Sequence, residues 1–130
     1  MNNDLERIQT LQNDIKKWSD ETFGKYRSAS PMAYHLKKEV DELIGALERL
    51  YEGTYTNSDI TAVGVQELMK KNERILYELA DCLTLVMDCA SHVQIDMQSL
   101  ISASEKKLEI NKKRKWGVPD ENGVVEYIIE

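Results

Sequence analysis

The sequence predicts an all-α fold of four or more helices in a bundle-like array. Three observations point there. Apolar residues recur at spacings of three and four over most of the 130 residues. Helix punctuation recurs as well, with Phe23-Gly24 closing one segment and Ser30-Pro31 opening the next. The stretch Ile75 to Ala90, ILYELADCLTLVMDCA, is apolar nearly all round, as expected of a helix covered on most sides. One domain is expected at this length, residues 1–130.

The first helix is predicted from an N-cap at Asn3 or Asp4 to about Thr22, with Leu5, Ile8, Leu11, Ile15 and Trp18 as its apolar stripe. A short polar linker, 25–29, leads to a second helix with Ser30 as N-cap and Pro31 at its first position, running to about Tyr51. Leu36, Val40, Leu43, Leu47 and Leu50 form its stripe. The string EGTYTN, 52–57, has turn composition, and 59–72 reads as an excursion or broken helix, with Gly64 in its middle. A third helix is predicted over about Glu73 to Val93. A fourth covers about Met97 to Arg114, with Leu100, Ile101, Leu108 and Ile110 inward and a basic end that suits the helix dipole. The tail WGVPDENGVVEYIIE is expected to pack as an ordered arm or short strand.

Composition excludes some function classes. A net charge of −6 with 31 % charged residues argues against a nucleic-acid partner. No apolar run reaches the roughly 18 residues of a membrane span, and MNNDLERIQT lacks the pattern of a secretory leader. Cys82 and Cys89 are seven residues apart on one predicted helix, about 10.5 Å of rise, too far to bridge. They read as small core residues in a reducing compartment, and a cytoplasmic location is expected.

The chemistry is carried by acids. Glu78, Asp81 and Asp88 lie within the most apolar helix, and a carboxylate there needs a cation. Glu78 and Asp81 are about 60° apart on the helical wheel, and Glu39 and Glu42 repeat that spacing on the second helix. Two such pairs facing each other would make a cage of four carboxylates suited to a hard dication with oxygen ligands, Mg²⁺ or Mn²⁺ in its place. The competing readings are a solvated face beside Lys37 and Lys38 for the first pair, and pairing with Arg74 or a buried lysine for the second. His35 shares the face of Glu39 and Glu42, and Trp18 offers a stacking plane, although Trp18 also completes a core stripe. Asp88, one heptad beyond Asp81, suits either an outer partner of a ligand or a polar contact between helices. Lys107, Asn111 and Arg114 share one face of the fourth helix, where they suit phosphate and sugar or simply a solvated basic end. A di-iron bundle needs Glu-x-x-His pairs, and neither His35 nor His92 falls three residues after a ligand glutamate.

HLKKEVDEL followed by YELADCL resembles the two metal-binding helices of the MazG-like all-α NTP pyrophosphatases, nearest to their dATP/dGTP pyrophosphohydrolase-type branch. Trp18 with Thr22-Phe23-Gly24, Arg27, Pro31 to Leu43, the Asp88 region, Lys107, Asn111, Arg114 and Trp116 to Asp120 extend the likeness. The resemblance implies Mg²⁺-dependent hydrolysis of a purine deoxynucleoside triphosphate to monophosphate and pyrophosphate, by a homodimer or homotetramer. It implies Glu39, Glu42, Glu78 and Asp81 as metal ligands and catalytic residues, Lys107, Asn111 and Arg114 on phosphate and sugar, and Trp18 and His35 in the base pocket. The chain departs from the pattern twice. Lys38 stands where an additional acid is usual, and 35 residues separate Glu42 from Glu78, longer than usual. A nucleotide-binding module of the same fold with little turnover is therefore the alternative.

Overall fold

The computed structural model describes residues 3–50, 52, 55–56, 59–60 and 62–129. The described residues are mainly helical: α1 (Asn3–Phe23), α2 (Ser30–Glu48), α3 (Ala62–His92) and α4 (Met97–Lys113). Between α2 and α3 two short strands, β1 (Tyr55–Thr56) and β2 (Asp59–Ile60), pair antiparallel with Tyr55 opposite Ile60. No helix is long and apolar enough to cross a membrane among the described residues. The chain divides into two compact units, Met1–Asp96 and Met97–Glu130.

In the first unit α3 packs against both α2 and α1. Cys89 Sγ donates to the Ala29 carbonyl at one end, while Glu39 meets Asp81 and Glu78 further along, so α2 and α3 run antiparallel. Met32, Ala46, Met87 and Ala90 are the buried apolar residues of this unit. α1 closes as expected, with Gly24 at φ +108° just past its end. Its buried face differs from the apolar stripe, however. Gln12 and Ser19 are buried, whereas Leu11 and Trp18 are exposed. The reason is hydrogen bonding: Gln12 Nε2 donates to the carbonyls of Met87 and Ile95, and Ser19 Oγ to Asp88, so polar residues turn inward.

α2 begins one residue earlier than expected and ends sooner. Ser30 is its first helical residue, and the cap is Ala29, with no side-chain hydrogen bond. The helix ends at Glu48, closed by backbone bonds from Arg49 to Gly45 and from Leu50 to Leu47; the expected end, Tyr51, lies outside the described residues. The predicted excursion is corrected from residue 62 onward, where α3 is already helical. Gly64 sits in its first turn, where a glycine disturbs few intrahelical bonds. The apolar positions looked irregular because Leu68 and the pair Val65 and Met69 serve different sides of one helix.

In the second unit α4 is followed by an arm that folds back on itself. Gly117 N donates to Glu126 O and Ile128 N to Lys115 O, both at 2.8 Å, around a bridge between Trp116 and Tyr127. Asp120 Oδ1 accepts the amides of Asn122 and Val124, and Gly123 takes φ +79° at the bend. Leu100 and Ile101 are half-buried, whereas Leu108 and Ile110, expected inward, are exposed.

Candidate metal centre

α2 and α3 each bring acids to their shared edge. Carboxylate oxygens of Glu39, Glu78 and Asp81 all lie within 4.8 Å of one another. The three-residue spacing on α3 puts Glu78 and Asp81 on neighbouring positions, and the antiparallel packing sets Glu39 opposite them. Glu42, which is exposed, joins through Glu39, with which it makes a carboxyl-to-carboxyl contact. Among the described residues, Glu39 Oε2 and Glu78 Oε2 are buried with no hydrogen-bond partner. Arg74 does approach Glu78, but at 3.8 Å and with a half-exposed side chain, a weak ion pair.

This crowding shows in the titration of the group. Burial first, then repulsion from Glu42 and contact with its carboxyl, then Asp81, raise the Glu39 carboxyl above its ordinary range. His35 opposes the rise; its Nε2 lies 3.1 Å from Glu39 Oε1. The Cys82 thiol is also pushed up, by burial and then by Glu39, Asp81 and Glu78. Cys82 and Cys89 are free and half-buried, less enclosed than expected.

A cavity of about 320 Å³ adjoins the acids. Glu39 and Asp81 line it together with Trp18, Phe23, Arg27 and His35. Trp18, 55 % exposed, stands edge-on to Phe23 at 5.4 Å, so it belongs to the wall of a cleft and not to the core. Asp88 lines the same cavity and bonds across to α1: Ser19 Oγ donates to Asp88 Oδ2 at 2.7 Å and accepts from Arg27. Arg27 also donates to the Gly24 carbonyl and lies over the Phe23 ring. His92, its side chain 4 % exposed, sits between Asp88 and Asp20. Its Nδ1 donates to the Asp88 carbonyl at 2.8 Å. The bond from Lys16 holds the Asp20 carboxyl below its ordinary range. Asp88 is thus a buried contact between α1 and α3, two turns from the clustered acids.

Periodicity alone did not single out Ser19, Phe23, Arg27 or His92. Arg27 falls in a linker without repeat, and Ser19 hides beside Trp18 in an apolar stripe. Lys107, Asn111 and Arg114 belong to the second unit. There Arg114 Nη1 donates to Asn111 Oδ1 at 3.0 Å and its guanidinium lies 3.9 Å from the Tyr127 ring centre, while Trp116 Nε1 donates to the Asn111 carbonyl. Asn111 and Arg114 therefore hold the arm to α4, and Lys107 is exposed. Compared with protein-family models, curated proteins and solved structures, the chain matches none.

Proposed function

We propose that this protein is a Mg²⁺-dependent nucleoside triphosphate pyrophosphohydrolase, cleaving a purine deoxynucleoside triphosphate to monophosphate and pyrophosphate. The observation that carries the reading is the convergence of Glu39, Glu78 and Asp81 from two helices, with two buried carboxylate oxygens left without partners. Carboxylates this close repel one another, and a hard cation with oxygen ligands relieves that repulsion. The donor set is all oxygen, which fits Mg²⁺, or Mn²⁺ in its place.

Glu39, Glu78 and Asp81 would hold the metal, with Glu42 at the exposed edge. Bound there, Mg²⁺ supplies charge neutralisation for phosphate oxygens and a lowered pKa for water. The chain's own residues do the rest. His35 orients the Glu39 carboxylate from one turn away. Trp18 and Phe23 offer aromatic faces to a base in the adjoining cavity, and Arg27 brings a cation to its wall. The buried Ser19–Asp88 bond ties α1 to α3 and so keeps the Trp18 wall in place beside the acids. Half-buried free thiols fit a cytoplasmic enzyme, and we extend the proposal to a homodimer or homotetramer.

A panel of dNTPs and NTPs with Mg²⁺, scored separately for pyrophosphate and orthophosphate, tests the reading. Pyrophosphate release that stops in Asp81→Asn is expected. Orthophosphate as the first product would overturn it, and nucleotide binding without turnover would favour the module with Lys38 in place of an additional acid.

A further inference from the structure

The residues of the site lie along one stripe of α3. Arg74, Glu78, Asp81, Leu85 and Asp88 follow at spacings of four and three, and at 100° per residue they fall within an arc of about 80°. The chemistry changes along the stripe. Leu85 and Asp88 line the cavity that Trp18 walls, and Asp81 stands at its edge with Glu39. Glu78 and Asp81 belong to the clustered acids. Arg74 comes last, one turn past Glu78 and on the far side of the acids from the cavity. From Asp81 to Arg74 the helix rises about 10.5 Å. Running antiparallel, α2 gives the same order: His35 lines the cavity, Glu39 joins the acids, and Glu42 follows toward the Arg74 end.

Arg74 is weakly engaged where it stands. Its Nε lies 3.8 Å from Glu78 Oε1, an ion pair too long for a hydrogen bond. A structural arginine normally forks onto both oxygens of its carboxylate. Here Glu78 Oε2 is buried without a hydrogen-bond partner, so the arginine does not satisfy the acid it approaches. The Arg74 side chain is 55 % exposed and that of Glu78 is 14 % exposed. The guanidinium, with its five N–H donors, can therefore swing while the carboxylate stays in place.

We infer that Arg74 is a phosphate-binding residue, taking the phosphates that lie beyond the one held at the clustered acids. This rests on the nucleotide reading proposed above. A base in the cavity, with its first phosphate at Glu39 and Asp81, leaves one direction for the rest of the phosphate chain: along the stripe, toward Glu78 and Arg74. There the terminal phosphates meet two acids, Glu78 and Glu42, and need a cation beside them. A guanidinium matches two phosphate oxygens at once, which a long single contact to Glu78 does not use. The exchange is favourable, because an exposed ion pair is worth little and a forked, charge-assisted one is worth more. Glu78, once shared with a dication, also holds the guanidinium less firmly. One side chain thus balances the acids before substrate arrives and the terminal phosphates afterwards.

The test is binding, by isothermal titration calorimetry on the full chain with Mg²⁺. The probes are dATP and dGTP analogues whose α–β bridge is a methylene, which resists cleavage, and the matching monophosphates. Arg74→Ala should weaken the triphosphate analogue about ten-fold or more, as loss of a hydrogen-bonded charge pair does, and leave the monophosphate nearly unchanged. Arg74→Lys should recover part of the loss. Mn²⁺ titration without nucleotide gives a second readout. There Arg74→Ala should bind the ion about two- to five-fold more tightly, the factor that an exposed ion pair to Glu78 is worth. The side chain is exposed, so the fold tolerates both variants, and circular dichroism checks that it does. Triphosphate binding that Arg74→Ala leaves intact overturns the inference, as does an equal loss for both nucleotides or a loss of Mn²⁺ binding. Wild-type protein that binds the triphosphate analogue with Arg74 indifferent sinks this inference alone. Wild-type protein that binds neither nucleotide sinks the nucleotide reading, and the role of Arg74 with it.

Discussion

Replacing Glu78 by glutamine should move stability in opposite directions with and without metal. Without a cation, three carboxylates lie within 4.8 Å of one another. Two full charges at that distance and an effective dielectric near 20 repel by about 3.5 kcal/mol. The real figure is smaller, because the Glu39 carboxyl already holds its proton more tightly than usual and Arg74 offsets part of the Glu78 charge. A net gain of about 1–3 kcal/mol on removing one charge follows, roughly 3–10 °C in melting temperature for a chain of this size. With Mg²⁺ the order reverses. Saturation of a site at 100 times its dissociation constant adds about 2.7 kcal/mol to the wild type, and Glu78→Gln forfeits most of it. Thermal melts of both proteins in EDTA and in excess Mg²⁺ measure all four values. A variant less stable than wild type in EDTA, and stabilised by Mg²⁺ to the same extent, would refute the reasoning.

The same charge balance sets a pH dependence. The unfolded chain releases the Glu39 proton near its ordinary value of 4.5 while the fold holds it longer. Metal-free protein should therefore lose stability as pH rises from 4.5 through the raised folded value, and excess Mg²⁺ should abolish that loss; melts across pH 4–7 in EDTA and in Mg²⁺ check the sign. Trp18→Ala, at an exposed cavity wall, should cost little stability but raise KM about ten-fold or more with kcat nearly kept, as loss of one stacking face does. Ser19→Ala breaks the buried link between Arg27 and Asp88 and should cost about 1.5–3 kcal/mol in urea melts; a loss under 0.5 kcal/mol would remove that link from the account.

Much of this arrangement is legible in the sequence. Helix existence is, because Gly24, Pro31 and the three-and-four spacing are local signals that packing did not need to correct. The acid cluster was legible in part, since carboxylates in so apolar a helix needed an explanation and a second pair of equal spacing stood ready. What escaped has a common cause. Gln12 and Ser19 turn inward because their partners, on Met87, Ile95 and Asp88, are some 70 to 80 residues away in sequence. Trp18, read as a stacking plane that also completes a core stripe, is left open for the same reason: a helix rotated by about 50° to bury hydrogen-bonded side chains leaves its apolar edge exposed. The start of α3 reads as an excursion or broken helix in the sequence because its apolar residues serve two sides at once. Asn111 and Arg114 read as phosphate and sugar contacts or as a solvated basic end, and the structure also engages them with Trp116 and Tyr127, an interaction that spacing cannot announce.

The central claim is that acids from α2 and α3 together hold one divalent cation, and Mn²⁺ titration followed by electron paramagnetic resonance tests it most directly. Wild-type protein should deplete the free Mn²⁺ signal, Mg²⁺ should restore it by competition, and Glu39→Gln and Asp81→Asn should each lose the effect although they sit on different helices. A free-ion spectrum unchanged by wild-type protein, or depletion that survives both substitutions, would contradict the claim.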